Sequence, residues 1–218
     1  MSTHPVLIGG AWRAANASGT FGSENPATGE KLSDEFPIST WADCDAALDA
    51  AVEAARELRT LPPEHIAKFL TRFAERIEAR AGELVEAANA ETGLARKPRL
   101  ADVELPRTTA QLRQGAAAAI EGSWALPTID TKLGLRSMLA PIGPVWVFGP
   151  NNFPFAFNSV AGGDFVAAIA AGNPVIAKAN NPSVGLTVTG GPVHFHELRV
   201  FELQSIWEHA ARSPAASK

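Results

Sequence analysis

Residues 141–182 read PIGPVWVFGPNNFPFAFNSVAGGDFVAAIAAGNPVIAKANNP, and this stretch decides the fold. It opens with a short apolar run, Val145 to Phe148, which is typical of a strand buried on both faces of a parallel sheet. The small residues of 158–171 predict a helix that can approach a sheet closely, and Pro174 to Lys178 predicts the returning strand. Strand, helix and strand in this order predict an α/β fold with a right-handed crossover.

The residues ahead of this unit alternate between turn signals and helical periodicity. Val6 to Trp12 predicts a short hairpin around Gly9-Gly10, and the turn-rich stretch 22–30 is expected to join two strands. Apolar periodicity with Pro and Gly boundaries predicts helices that begin near Thr40 and Pro63 and others that cover Gly82 to Glu91 and Pro106 to Ile120. Arg136 to Ala140 predicts an edge or protruding strand, because prolines flank its end.

The composition limits the classes of protein to which the chain can belong. The chain has 218 residues, of which 46% are hydrophobic and 19% charged, as in ordinary soluble globular proteins. A net charge of −4 with mixed signs gives no reason to expect a nucleic-acid partner. The single cysteine allows no internal disulfide, so a cytoplasmic location is expected. The N-terminus lacks a signal-peptide pattern, and Asp164 and Pro174 interrupt the most apolar window, so no membrane association is expected.

A set of short motifs occurs in order across residues 5–185. They are NPATGE (25–30), ETGL (91–94), RTTAQLR (107–113), EGSW (121–124), LRSMLAPIGPV (135–145), FGPNNFPFAF (148–157), SVAGGD (159–164) and GNPVIAKAN (172–180). Jointly they resemble the aldehyde dehydrogenase superfamily, and within it the branch that acts on 2-oxoglutarate semialdehyde (2,5-dioxopentanoate). No single motif is decisive, but the N-F-P turn followed by a βαβ lysine is fairly specific.

The resemblance implies a domain plan, namely the N-terminal portion of such an enzyme with part of a Rossmann-type cofactor domain. Residues 1–133 would be the N-terminal strands and helices, and 134–144 an oligomerisation-type strand. Residues 145–188 would be the first βαβ unit of the NAD(P)-binding domain. The likeness fails from about residue 189, so 189–218 is interpreted as a divergent tail.

The resemblance also implies the chemistry of the complete enzyme. A cysteine thiolate attacks the aldehyde, an amide donor stabilises the oxyanion, hydride passes to NAD(P)⁺, and a glutamate-activated water releases the acid. Asn152 stands at the Asn of the N-F-P motif, so its side-chain N–H would be the oxyanion donor. The alternative interpretation is that Asn152 closes a turn before Pro154, as Asn commonly does.

A cofactor site follows from the same likeness. Lys178 matches the family lysine that reaches the adenosine ribose, although a solvated lysine at a strand end is the alternative. Phe148, Gly149 and Pro150 would line the cofactor side of the site. Many NAD-preferring relatives carry a Glu shortly after this lysine, whereas this chain has Asn180 there, so NADP or NAD is the expected cofactor. The paired glycines at 162–163 are interpreted as serving close helix–sheet packing.

Arg107 and Arg113 are candidates to bind a substrate carboxylate, because an aldehyde of a 2-oxo acid is anionic. Surface solvation of both arginines is the favoured alternative. Cys44 is not expected to be catalytic, since its neighbours Asp43 and Asp45 oppose thiolate formation.

The family's nucleophilic cysteine and general-base glutamate are expected beyond residue 218, so the chain alone is predicted to be inactive toward its aldehyde substrate. The alternative function is a non-catalytic nucleotide-binding or subunit-assembly fragment. The expected protein partner is a second copy, in a homo-oligomer, or a longer homologue. His194, His196 and Glu197 invite a metal site, but a solvated strand or disordered tail is preferred there, and no metal is predicted.

Overall fold

The computed structural model describes residues 3–179. Predictions that concern Asn180, the end of the 145–188 unit, and the tail 189–218 with its histidines lie outside the described residues. No helix within 3–179 combines the length and the apolar character needed to cross a membrane.

The N-terminal part consists of two antiparallel hairpins. The first pairs β1 (Val6–Ile8) with β2 (Ala11–Arg13), and the second pairs β3 (Ala17–Glu24) with β4 (Lys31–Ser39). The turn between β3 and β4 is closed by Asn25, whose N–H donates to the Glu30 carbonyl at 2.8 Å and whose Oδ1 accepts from the Ala27 N–H at 2.9 Å. The expected hairpin and the expected turn are therefore both confirmed.

The helices lie where Pro, Gly and the apolar periodicity predict them. They are α1 (Trp41–Leu58), α2 (Pro63–Ala79), α3 (Ala81–Thr92) and α4 (Leu105–Glu121). Gly93 ends α3 at a φ of 68°, a left-handed conformation that costs glycine no steric clash. Thr40 precedes α1 as expected, but its buried Oγ1 has no hydrogen-bond partner, so it does not cap the helix through its side chain. A segment that is kinked at Lys97, where φ is −129° and ψ is 143°, separates α3 from α4; this segment, Arg96–Glu104, was not predicted.

The expected edge strand around 136–140 is shorter and has a partner. It forms β6 (Leu135–Ser137), which pairs antiparallel with β5 (Thr128–Asp130), so the hairpin begins before residue 134. All side chains of β6 are exposed.

The βαβ unit is confirmed in element order and in parallel pairing, with two differences in detail. It comprises β7 (Val145–Phe148), α5 (Gly163–Ala170) and β8 (Val175–Lys178), and the two strands are parallel. The helix starts at Gly163 and not near 158, because the Asn158 Oδ1 accepts from the Val160 N–H at 2.8 Å and holds a turn there. Burial of β7 on both faces is wrong: Val147 is 4% exposed, but Phe148 is 66% exposed. Among the described elements α5 contacts both strands and α1 contacts β8, while Trp146 and Phe148 of β7 stay exposed.

The main core lies where α2, α4 and α5 meet. Leu70 and Leu112 are fully buried there, and Phe165 and Val166 of α5 close the cluster. A second cluster around Leu100 joins α3 to the kinked segment Arg96–Glu104. The crossover helix of the βαβ unit is thereby fixed to the helical part of the chain.

Candidate cofactor and oxyanion site

The candidate site begins at the carboxyl edge of the parallel strand pair. Phe148 and Lys178 are register partners at the ends of β7 and β8, so both stand at the same edge. Parallel α/β sheets bind ligands at this edge. Both side chains are exposed, and the Lys178 Nζ donates to the Ala179 carbonyl at 2.9 Å. Asn152 follows β7 by four residues and is also exposed, so the turn that carries it leaves from the edge that bears Lys178.

The chain after β7 folds back tightly on itself. A Cβ on Gly149 would lie 2.5 Å from the Ser159 nitrogen, and a Cβ on Gly162 would lie 2.6 Å from the Asn158 carbonyl oxygen. Real Cβ atoms do not approach backbone so closely, so glycine is required at both positions. Gly162 therefore packs against the preceding turn, which corrects the expected helix–sheet role, whereas a Cβ on Gly163 would lie 3.7 Å from the Gln111 Nε2 of α4, an ordinary contact distance.

A buried acid and an arginine, both missed by sequence reasoning, hold this turn. The Glu104 side chain is 1% exposed; its Oε1 accepts from the N–H groups of Phe155 (2.8 Å) and Ala156 (3.1 Å). Its Oε2 accepts from the Arg99 Nη1 at 2.6 Å. The Arg99 Nη2 donates to the backbone carbonyl of Asn152 at 3.0 Å, and the guanidinium lies 4.4 Å from the centroid of the Phe153 ring.

The two candidate substrate arginines differ in their surroundings. The Arg107 guanidinium lies 5.1 Å from the Phe157 ring centroid, and Phe157 meets Phe153 edge to face at 5.0 Å, so Arg107 borders the Asn152 turn. Arg113 instead donates to both carboxylate oxygens of Glu78 on α2, at 2.6 and 2.7 Å.

That ion pair also shifts the titration of both partners. The hydrogen bond from Arg113 holds the pKa of Glu78 below its ordinary value despite partial desolvation. The same bond raises the pKa of Arg113. The guanidinium of Arg113 is thus already matched to a carboxylate of its own chain.

Cys44 is half-buried in the first turn of α1. Its neighbour Asp43 is buried and accepts from the Asn16 N–H at 2.8 Å and from Arg13 at 3.5 Å. These contacts belong to the packing of α1 against the N-terminal strands. Among residues 3–179, no three His, Cys, Asp or Glu side chains are grouped as metal ligands would be.

A parallel strand pair with an exposed cation and an Asn-bearing turn at its carboxyl edge is an α/β unit of the kind that binds ligands at that edge. Residues 12–189 match the aldehyde dehydrogenase family, and the chain belongs to that family. Alpha-ketoglutaric semialdehyde dehydrogenase 2 of Azospirillum brasilense is 38% identical over 193 residues, which cover 84% of this chain and 36% of that enzyme. The alpha-ketoglutaric semialdehyde dehydrogenase of Acinetobacter baylyi is 38% identical over 184 residues, or 80% of this chain and 34% of that enzyme.

Solved structures show the same likeness. An NAD-dependent benzaldehyde dehydrogenase from Corynebacterium glutamicum superposes with a TM-score of 0.67 at 26% identity, over 81% of this chain and 38% of that one. The expected resemblance to the family and to its 2-oxoglutarate semialdehyde branch is confirmed. The chain spans about a third of the length of the curated relatives that it matches.

Proposed function

We propose that this chain supplies the oxyanion donor and the cofactor edge for an NAD(P)⁺-dependent oxidation of an aldehyde to a carboxylic acid. The observation that carries the proposal is the register of β7 and β8. It places Phe148 opposite Lys178 and starts the Asn152 turn from the same edge. A cytoplasmic location is part of the proposal, since a chain with one cysteine suits a reducing compartment.

In this proposal the side-chain amide of Asn152 donates to the aldehyde oxygen as negative charge develops on it. Arg99 engages the backbone carbonyl of Asn152, not its side chain, so the two groups of this residue have separate tasks. Removal of one such donor typically costs about 10²- to 10³-fold in kcat.

The cofactor edge is assigned to Phe148, Gly149, Pro150 and Lys178; Asn180, outside the described residues, is added from its position in the sequence alone. An exposed ammonium group beside an exposed aromatic ring suits the ribose and phosphate of a dinucleotide. NAD(P)⁺, when bound, would supply the hydride acceptor, and the chain's own residues would hold and orient it. The Corynebacterium glutamicum relative is NAD-dependent by name, and the lack of an acid directly after Lys178 in this chain removes the repulsion against the 2′-phosphate of NADP.

The proposed substrate is a short anionic semialdehyde, with 2-oxoglutarate semialdehyde as its representative. The two similar enzymes from Azospirillum and Acinetobacter are named for that substrate. Arg107 is the arginine proposed to meet the carboxylate, because its guanidinium borders the rings next to Asn152. Arg113 was a second candidate, but its pairing with Glu78 makes a structural role the better assignment.

A cofactor titration of the 218-residue chain tests the proposal. NADPH fluorescence is followed for the wild type, for Lys178→Met, and for Lys132→Met as the control, since Lys132 is an exposed lysine in the β5–β6 turn. Loss of a charge-assisted hydrogen bond should weaken binding about tenfold to a hundredfold in Lys178→Met only. Equal affinity of the two variants, or no saturable binding by the wild type, would exclude the assigned edge.

The second candidate is a non-catalytic assembly piece that pairs with a second copy or with a longer homologue. It is favoured by the β5–β6 hairpin, where Ile129 and Leu135 are 66% and 61% exposed. An exposed apolar strand invites pairing with another chain. Light scattering of the wild type and of Leu135→Lys decides this point. An oligomer that dissociates in the variant supports the assembly role, and a wild-type monomer that does not co-purify with a longer homologue opposes it.

A further inference from the structure

We propose that Glu104 and Arg99 form a positioning pair, here called the turn clamp, that fixes the direction in which Asn152 presents its side chain. The inference rests on the proposed role of Asn152 as oxyanion donor. Neither residue is assigned to touch substrate or cofactor. Both act through the backbone of residues 152–156.

The burial of Glu104 is the first argument. Its side chain is 1% exposed, and a buried carboxylate is costly unless charge and hydrogen bonds compensate it. Here one oxygen accepts two consecutive backbone N–H groups, from Phe155 and Ala156, while the other accepts from Arg99. Two adjacent N–H groups that converge on one oxygen fix the orientation of both peptide planes.

Arg99 supplies the second argument. Its planar fork spans two partners, the Glu104 carboxylate at 2.6 Å and the Asn152 carbonyl at 3.0 Å. The same plane lies over the Phe153 ring at 4.4 Å. A guanidinium held at three points is a rigid connector, which a lysine cannot reproduce. The peptide group between Asn152 and Phe153 is thereby fixed, and the direction of the Asn152 side chain with it.

The Arg113–Glu78 pair is an internal comparison. It is also an arginine–glutamate pair, here with two hydrogen bonds, but its side chains are 44% and 43% exposed and it joins α4 to α2. The Arg113–Glu78 pair therefore stabilises the packing of two helices without contacting the Asn152 turn. Arg113→Gln is the matched control for every clamp variant.

The clamp is tested by backbone amide exchange on the full 218-residue chain without cofactor. In Glu104→Ala, the Phe155 and Ala156 amides lose a charged acceptor, so we expect their exchange to rise about tenfold to a hundredfold. In Glu104→Gln, the side-chain carbonyl still accepts both N–H groups, so protection should return close to wild type. Arg113→Gln should leave both amides unchanged.

The Arg99 half has its own signature. The carbonyl ¹³C resonance of Asn152 and its side-chain amide ¹⁵N resonance should move in Arg99→Gln. They should move similarly in Glu104→Gln, because the new side-chain NH₂ no longer holds the guanidinium. Arg99→Lys should not restore the wild-type positions. A generally destabilising substitution such as Arg113→Gln changes the melting temperature without moving these signals.

The outcomes distinguish a failure of the turn clamp from a failure of the proposed function. Unchanged exchange at Phe155 and Ala156 in Glu104→Ala, or an equal rise in Arg113→Gln, would overturn the clamp. Should Glu104→Ala fail to fold, the resonances of Arg99→Gln and Arg99→Lys decide: wild-type positions in both would overturn it. None of these readouts involves a cofactor, so a chain that binds no NADPH would defeat the proposed function and leave the clamp standing.

Discussion

A substitution at Gly115 tests how closely the crossover helix α5 packs against α4. It is buried in α4 opposite α5, and a Cβ there would overlap the Val166 Cγ1 and lie 3.4 Å from the Leu70 Cδ1. Val166 is 5% exposed and β-branched, so its side chain has little freedom to move aside. Overpacking costs about 1–3 kcal/mol, and so short a contact belongs in the upper half of that range. The better helix propensity of Ala returns about 1 kcal/mol, so Gly115→Ala should lose about 1–2 kcal/mol of stability.

Urea unfolding followed by circular dichroism measures this loss. Gly82→Ala is the control: Gly82 lies in α3 with nothing within 4 Å of its Cβ position, so the substitution should stabilise by about 0.5–1 kcal/mol. In the double variant Gly115→Ala/Val166→Ala the new methyl occupies space that Val166 vacates, so the two changes should couple favourably by at least about 0.5 kcal/mol. A Gly115→Ala variant as stable as Gly82→Ala would refute the described packing of α4 on α5.

Three further predictions concern the ion pair, the turn and the thiol. Because the pKa of Glu78 is lowered in the folded state, the Arg113 pair stabilises the fold above the ordinary pKa of 4.5, and this contribution is lost as the pH falls below that value. Arg113→Gln should flatten the acid limb of the melting temperature against pH, and an unchanged acid limb would contradict the pairing. Gly149→Ala, whose methyl would meet the Ser159 nitrogen at 2.5 Å, should lose about 1–3 kcal/mol in the same urea assay, and a neutral result would show that the turn is looser than described. Finally, the only thiol is Cys44, so the 218-residue chain should form no NADPH from 2-oxoglutarate semialdehyde and NADP⁺; formation of NADPH that Cys44→Ala abolishes would disprove its non-catalytic role.

The elements that the sequence predicts well are those with local signals. The helix that begins at Pro63 has a proline at its first turn, and α3 ends at a glycine with a left-handed φ; both are consequences of one residue's own conformation. The parallel pairing of β7 with β8 follows from strand–helix–strand order, which leaves few chain paths. The edge that bears Lys178 could therefore be placed from sequence.

What the sequence does not reveal depends on contacts between distant positions. Glu104 lies two residues before Pro106, at the start of α4. A proline there signals the start of a helix, but it does not indicate that Glu104 has partners 51 and 52 positions further on. Arg99 likewise meets Asn152 across 53 positions. The exposure of Trp146 and Phe148 on β7 could not be predicted either, because an apolar run shows what a strand can bury and not which neighbours cover it. The late start of α5 reflects a side-chain bond within one turn, where Asn158 competes with the helix for backbone N–H groups.

The central claim is that Asn152 and Lys178 belong to one cofactor edge. Backbone amide chemical shifts of the ¹⁵N-labelled chain during a titration with NADP⁺ test it most directly. We predict saturable shifts at Phe148, Asn152 and Lys178 with a single dissociation constant, and unchanged signals in the β5–β6 hairpin. Shifts confined to that hairpin or to α1, or different dissociation constants at Asn152 and Lys178, would contradict the account.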